Sequence, residues 1–521
     1  MQTWPEMIHY HAKRRPDRLF LRDDAGEVSY GEMACRIGRR GSWLLERGIA
    51  PGDRVSVIGA NSAVLIEVLL ASQHVGAIAV PLNFRLAPAE LTYVLGQSGS
   101  VLLLADAGHA TLAAAVAAEA GVEAVVFDEA VGREDMQEAA AHTAGPDDLC
   151  RIVYTSGTTS HPKGVMITNR NVWVKCLQQA REFGFGFGDH GLLVGPLFHV
   201  AAFDVTLTNF SYVGASLTVH PRFDAERTLA SIVTERVDHA WLAPSMMRRL
   251  VEVAEKGDTV VDPGPRVIIG GGEPTPLELL TRIRAVFPNT WYANVYGLTE
   301  TTTGDAVLHA AQSFSRSESV GLPVQGAIIK VLDSSGRPCA AGAIGEVAIG
   351  GEKVGPGYWN DPEATAASRV GGLFKTGDAG YFDEEGYLYV TGRFKDMILS
   401  GGENIAAAEV ERVLLEYPGV LEAAVVGRPD QRWGEVPVAF VVAVEGVAVD
   451  EAELDRHCRA KLSSIKVPRR YFFLGELPRT GIGKVRKGML RERALAEGDD
   501  AACTCARESA VQDPRESGGR K

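Results

Sequence analysis

The chain has 521 residues, 46% of them hydrophobic and 23% charged, with a formal net charge of −13. That length exceeds one ordinary core, so two or more domains are expected, and the acidic balance excludes a nucleic-acid backbone as partner, because phosphate contacts need clustered Lys and Arg. Seven cysteines without a framework point to a reducing compartment, so the expected location is cytoplasmic.

Along the chain, Met1-Gln2-Thr3-Trp4-Pro5-Glu6 offers no apolar core for a secretory signal. Arg54-Val55-Ser56-Val57-Ile58-Gly59 reads as a strand. The apolar run at residues 101–104 is broken by Asp106 and His109, so no bilayer span is expected. Cys150-Arg151-Ile152-Val153-Tyr154 reads as a short strand leading into Thr155-Ser156-Gly157-Thr158-Thr159-Ser160-His161-Pro162-Lys163-Gly164. Glycine lets backbone N–H groups approach an anion, hydroxyls donate to its oxygens, and lysine adds a point charge. That is the composition of a polyphosphate cradle. It is not a Walker A loop, which ends Gly-Lys-Ser/Thr; Lys163 follows proline and precedes glycine.

Further on, Asp224 is placed to cap a helix in which Leu229, Ile232, Val233 and Arg236 recur at helical spacing. Val267-Ile268-Ile269 reads as a buried strand running into Gly270-Gly271-Gly272, a run that either turns tightly or opens space for a ligand. The alternation of strands and helices predicts parallel α/β layers. A boundary is expected at Gly392-Arg393-Phe394-Lys395-Asp396. Beyond it, residues 409–417 read as a helix, 423–426 and 438–442 as strands, 452–462 as a helix and 470–474 as a strand, which makes a small domain. From about residue 497 the tail is poor in apolar residues and expected to be disordered.

The order Thr-Ser-Gly-Thr-Thr-x-x-Pro-Lys-Gly resembles the phosphate loop of the adenylate-forming superfamily of acyl-CoA synthetases, aryl-CoA ligases, peptide-synthetase adenylation domains and luciferases. Four further segments match in order: Tyr296-Gly297-Leu298-Thr299-Glu300, Lys375-Thr376-Gly377-Asp378, the hinge Gly392–Asp396 with Gly401-Gly402-Glu403-Asn404-Ile405 after it, and Pro478-Arg479-Thr480-Gly481-Ile482-Gly483-Lys484. The pattern is closest to free-standing fatty-acid or aryl-acid CoA ligases. It implies a large multi-layered α/β domain with parallel sheets (residues 1–394), a small mobile α+β domain (395–492) joined by a hinge, and a tail (493–521).

The resemblance implies ATP- and Mg2+-dependent activation of a small-molecule carboxylic acid to acyl-AMP, then transfer to coenzyme A. Thr155, Ser156, Gly157, Thr158, Thr159 and Lys163 would hold the phosphates; Tyr296, Gly271 and Gly272 would bound the adenine. Asp378 and Arg393 would take the ribose. Thr299 would contact the α-phosphate, Glu300 would bind magnesium, and Lys484 would be the catalytic cation. Lys395 would be the hinge, and Gly401 and Gly402 would line the CoA tunnel. His199, Ala201 and Asp204 would border the acid pocket. Departures are Ser160 where relatives carry glycine, Ala406-Ala407-Ala408 where an aromatic and a proline usually follow, and Asp204 where asparagine is common. A buried carboxylate needs a partner, and a substrate hydroxyl or amine is one candidate. Adenylation with another acceptor (a carrier-protein thiol, or an amine meeting activated nitrite), a nucleotide-binding pseudo-enzyme and a homodimer stay open.

Overall fold

The structure is a computed structural model that describes residues 2–127, 136–155, 161–400, 403–430, 432–444, 446–479 and 485–496. The chain divides into two compact units, Met1–Val390 and Thr391–Lys521. The division falls within the strand Leu388–Arg393, a little upstream of the boundary expected after residue 394. Residues 493–496, assigned to the tail by the boundary expected at 492, belong to the helix Lys487–Ala496; the tail from residue 497 lies outside the described residues.

Two largely parallel sheets build the first unit. A six-stranded sheet runs Glu123–Val126, Ser100–Ala105, Arg54–Ile58, Ile78–Pro81, Leu149–Thr155 and Lys163–Thr168, antiparallel only at the last pair. A nine-stranded sheet runs Leu322–Pro323, Ala306–Leu308, Trp291–Tyr296, Val267–Gly271, His239–Trp241, His190–Leu193, Ser216–Val219, Leu19–Asp23 and Gly26–Ser29. Successive residues along these strands face opposite ways, and both faces are buried. Leu102 and Leu104, with Val267 and Ile269, enter one large core shared with the helices Trp4–Arg14, Tyr30–Glu46 and Ala63–His74. Leu103 and Ala105 enter a second core, beneath Pro88–Ser98 and Ala110–Ala120. Ile268 enters a third, beneath Ala225–Thr234, Pro244–Lys256 and Leu277–Val286. This is why the strands read as continuous apolar runs rather than alternating ones. A five-stranded sheet follows, in which the edge strand Ile328–Leu332 pairs antiparallel with Gly345–Gly350, and that strand antiparallel with the long Leu373–Phe382 strand.

Asp224 caps its helix by accepting from the Arg227 N–H at 2.9 Å, but the helix stops at Thr234. Arg236 lies beyond it at φ 52°, turning the chain rather than extending the expected helical face.

In the second unit, the expected strands are parts of one long hairpin, Val420–Asp430 with Gly434–Ala443. Its residues alternate between two small cores: Val425 and Val441 in one, Val426 and Phe440 in the other. The first helix spans Ala407–Leu415 and starts earlier than expected. Ala406 and Ala407 are buried, so the alanine run packs the head of this helix.

Candidate active site

The phosphate-loop motif is mounted on a hairpin. Strands Leu149–Thr155 and Lys163–Thr168 pair antiparallel, with Tyr154 opposite Gly164 and Thr155 opposite Lys163. Ser156, Gly157, Thr158, Thr159 and Ser160 lie outside the described residues. Gly164 has a packing reason: a Cβ there would meet Ile152 Cγ2 at 2.8 Å and Tyr154 Cζ at 3.0 Å. The return strand also bonds to the segment 357–359, Met166 N–H donating to the Gly357 carbonyl (3.0 Å) and Trp359 N–H to the Gly164 carbonyl (2.7 Å). Tyr358 therefore comes to lie beside Lys163, whose Nζ sits 5.2 Å from the tyrosine ring centre.

Tyr358 then links to the second motif. Its hydroxyl donates to Glu300 Oε1 at 2.9 Å, and the Gly355 N–H donates to the Glu300 carbonyl at 2.8 Å. Burial, and next the Glu300 carboxylate, push the Tyr358 phenol far above its ordinary range, so it remains a donor. Thr299 and Glu300 lie half-buried in a short 3₁₀ turn, Thr299–Thr301, directly after the Trp291–Tyr296 strand.

Tyr296 ends that strand, and its hydroxyl donates to Asp378 Oδ2 at 2.7 Å. Burial and the Asp378 charge hold this phenol protonated as well. Asp378 stands on the Leu373–Phe382 strand, 8% exposed. The glycines before this motif make room for the sheet itself. A Cβ on Gly271 would lie 2.3 Å from the Val295 carbonyl oxygen, and Gly272 takes φ 87°.

The acid-pocket segment gives one correction. His199 is exposed and Ala201 half-buried, while Ala201–Thr208 forms a π-helix, a rare conformation that often marks functional positions. Asp204 within it is fully buried, and its carboxylate is already paired inside the protein. Arg151 Nη2 donates to Oδ1 at 2.7 Å and Oδ2 at 2.8 Å, and Lys175 Nζ lies 4.0 Å from Oδ1. All three side chains are at most 1% exposed. The partner expected from a substrate is therefore supplied by Arg151, on the phosphate-loop strand.

The remaining candidates belong to the second unit. Arg393 is exposed at the end of Leu388–Arg393. Lys395 falls in the short turn Phe394–Asp396, whose Asp396 accepts from Arg491 at 2.6 Å. Gly401, Gly402 and Lys484 lie outside the described residues. Around them, Ile398–Ser400 pairs with Glu403–Ile405, and Arg479 bridges Val485.

Tyr358, Lys353 and Asp305 escape a reading by sequence. The only local signal for Tyr358 is the glycine-rich approach Gly355-Pro356-Gly357. Among the described residues no group of three or more His, Cys, Asp or Glu could hold a metal ion. A single hard oxygen donor such as Glu300 suits magnesium, which takes its other ligands from phosphate and water.

Comparison with known proteins extends the picture. The family model described as AMP-binding enzyme matches residues 8–359, and that of the AMP-binding enzyme C-terminal domain matches residues 409–484. The chain is similar to a feruloyl-CoA synthase of an Amycolatopsis species, 36% identical over 491 residues that cover 94% of this chain and 98% of the relative. It is similar to a long-chain-fatty-acid–CoA ligase of Mycobacterium tuberculosis, 36% identical over 478 residues, covering 90% of this chain and 93% of that one. Among solved structures, the o-succinylbenzoate CoA synthetase of Bacillus subtilis, in complex with its acyl-adenylate intermediate, has a TM-score of 0.85 at 31% identity. It covers 94% of this chain and 99% of its own. The same enzyme is also solved with ATP and a magnesium ion.

Proposed function

We propose, on the premise that the chain belongs to the AMP-binding enzyme family, that it is an AMP-forming acid–CoA ligase for an aromatic or fatty acid. The reading rests most on one observation: Tyr296 and Asp378, 82 residues apart in sequence, are joined by a 2.7 Å hydrogen bond. Beside them Glu300 is tied to the base of the phosphate loop through Tyr358.

In the first step a carboxylate oxygen attacks the α-phosphorus of ATP, the bond to pyrophosphate breaks, and acyl-AMP forms. The phosphate loop and Lys163 hold the β- and γ-phosphates, and Thr299 donates to the α-phosphate. Glu300 would hold magnesium, which when bound would supply positive charge to offset that of the polyphosphate. Tyr296 packs on the adenine, bounded by Gly271 and Gly272, while its hydroxyl orients Asp378 to accept from the ribose hydroxyls, with Arg393 as a second ribose contact. Lys484 brings a compact cation to the substrate carboxylate and the α-phosphate.

In the second step the thiolate of CoA attacks the acyl carbon and AMP leaves, with Lys395 as the hinge and Gly401 and Gly402 lining the thiol's path. The acid lies near His199 and Ala201. The described cysteines are free, which fits work in the cytoplasm; among the described residues no helix is long and apolar enough to cross a membrane.

The test is pyrophosphate release with ATP, magnesium and a panel of cinnamic, benzoic, amino-substituted aryl and long-chain fatty acids, with and without CoA, products identified by mass. An acyl-CoA from one class fixes the substrate. Release with no CoA product would refute CoA as acceptor, and silence across the panel would refute the ligase reading.

A further inference from the structure

We propose that Lys353 is a positioning residue for Glu300: its buried ammonium holds the left-handed turn Thr302-Thr303-Gly304 and so fixes the short turn that carries Thr299 and Glu300. The proposal rests on the reading of Glu300 as the magnesium ligand.

Three consecutive residues after Thr301 take positive φ: 54° at Thr302, 57° at Thr303 and 69° at Gly304. Glycine adopts this region freely, but β-branched threonine does so rarely. Two such threonines in a row persist only where the surroundings over-determine them. Lys353 does so here. It is 1% exposed, and its Nζ donates to the Thr303 carbonyl at 2.9 Å and the Gly304 carbonyl at 2.6 Å while pairing with Asp305 Oδ1 at 2.7 Å. An ammonium has three N–H donors and no acceptor; two of them go to these carbonyls, and the charge is balanced by the ion pair with Asp305. The tie is returned, because Thr302 Oγ1 donates to the Lys353 carbonyl at 2.9 Å. Asp305, fully buried, accepts from Thr301 through its other oxygen. Gln179 adds a donor to the Thr303 carbonyl at 3.3 Å.

The turn is one piece with the residues that face the nucleotide. Thr303 N–H donates to the Leu298 carbonyl (2.9 Å), Thr302 N–H to the Thr299 carbonyl (3.0 Å) and Asp305 N–H to the Tyr296 carbonyl (2.7 Å). A Cβ on Gly297 would stand 2.4 Å from the Gly304 nitrogen, so the two backbones are in direct contact. Just after Lys353, the chain supplies the Gly355 N–H and the Tyr358 hydroxyl that grip Glu300 itself. One segment therefore grips the metal-ligand turn at its carbonyls, at its backbone and at its carboxylate. Removing the cation leaves the Asp305 carboxylate with only the Thr301 hydroxyl and no counter-charge, and takes the ammonium donor from two carbonyls in a strained turn, the Thr303 carbonyl keeping only Gln179.

The test compares wild type, Glu300→Gln, Lys353→Met, and Lys353→Met combined with Asp305→Asn, which removes both buried charges and preserves folding if the single variant does not. Amide hydrogen exchange of the ligand-free protein over residues 296–305 is one readout. The magnesium concentration for half-maximal acyl-AMP formation, the KM for the acid, and thioester formation from supplied acyl-AMP are the others. Expected in the double variant are faster exchange confined to residues 299–305, and adenylation reduced about 10- to 100-fold, the range for a misplaced site group. The half-saturating magnesium should rise, with the acid KM and the thioester step within about twofold of wild type. Unchanged exchange and magnesium response, or equal losses in both chemical steps, would overturn the positioning role. If Glu300→Gln leaves the magnesium response unaltered while exchange still rises in the Lys353 variants, the reading of Glu300 fails and the turn-holding role stands.

Discussion

Asp204→Asn isolates the buried charge cluster behind the acid-pocket helix. In the protein one carboxylate lies between Arg151 at 2.7 and 2.8 Å and Lys175 at 4.0 Å, with no side chain more than 1% exposed. Solvent cannot screen the change. The variant leaves two buried cations facing a neutral amide, and breaking a buried pair from one side costs about 3–5 kcal/mol. Asparagine keeps one carbonyl oxygen that can still accept from Arg151, which puts the loss near the lower end, about 3 kcal/mol. Over the Met1–Val390 unit, an unfolding entropy of about 2.1 cal/mol/K per residue converts that into a melting shift of about 4 °C. Calorimetry at neutral pH measures the shift, and a competition assay between amino-substituted and unsubstituted aryl acids measures preference. The expected result is a lower melting point with preference unchanged. A midpoint within about 1 °C of wild type, or a changed preference for amino-substituted acids, would refute the assignment of Asp204 to Arg151.

Tyr296→Phe removes one hydrogen bond to a charged group, worth about 1.5–3 kcal/mol, and should raise the KM for ATP roughly tenfold or more while the acid KM holds; an unmoved ATP KM would contradict the role of the Tyr296–Asp378 pair. Lys484→Ala should slow acyl-AMP formation by about 100-fold or more while largely sparing thioester formation from supplied acyl-AMP, and equal loss in both steps would defeat the two-step assignment. The pair His9 and His74, ring nitrogens 3.4 Å apart, gives a pH effect. Burial lowers both pKa values, and their mutual repulsion lowers His9 further, against Glu138 and Glu6, which raise it. Because the unfolded chain takes up these protons more readily, stability is full above about pH 6.5 and falls as the pH drops below it. Urea midpoints at neutral and mildly acidic pH should therefore differ less in His9→Gln/His74→Gln than in wild type; an equal difference would show that the pair does not contribute.

The strand at residues 267–269 and the helix capped by Asp224 are legible because burial on one or two faces imposes a period that the sequence repeats. The hairpin carrying Thr155 and Lys163 announces itself by composition. Pairings of buried polar side chains have no such period. Arg151 is an arginine in an apolar strand, and nothing near it in sequence names Asp204, 53 residues on. Lys353 looks like any lysine in a glycine-rich loop until the chain brings it to Asp305, and Arg236 continues a helical spacing that the backbone has already abandoned at φ 52°.

The strand order of the nine-stranded sheet also sets a timetable. Leu19–Asp23 pairs in parallel with Ser216–Val219, Leu21 opposite Leu217, whereas the six-stranded sheet closes with residues 163–168. A ribosome adding roughly 5–20 residues per second delivers the partner of that early strand about 10–40 s after the strand itself. Throughout that interval the N-terminal hairpin keeps its hydrogen-bonding edge unclaimed, and only in its last part, once residue 168 has been made, can the six-stranded sheet already be complete. Nascent chains halted after residue 168 and after residue 219 should therefore differ sharply in protease resistance near residue 21, the shorter being cut there and the longer protected.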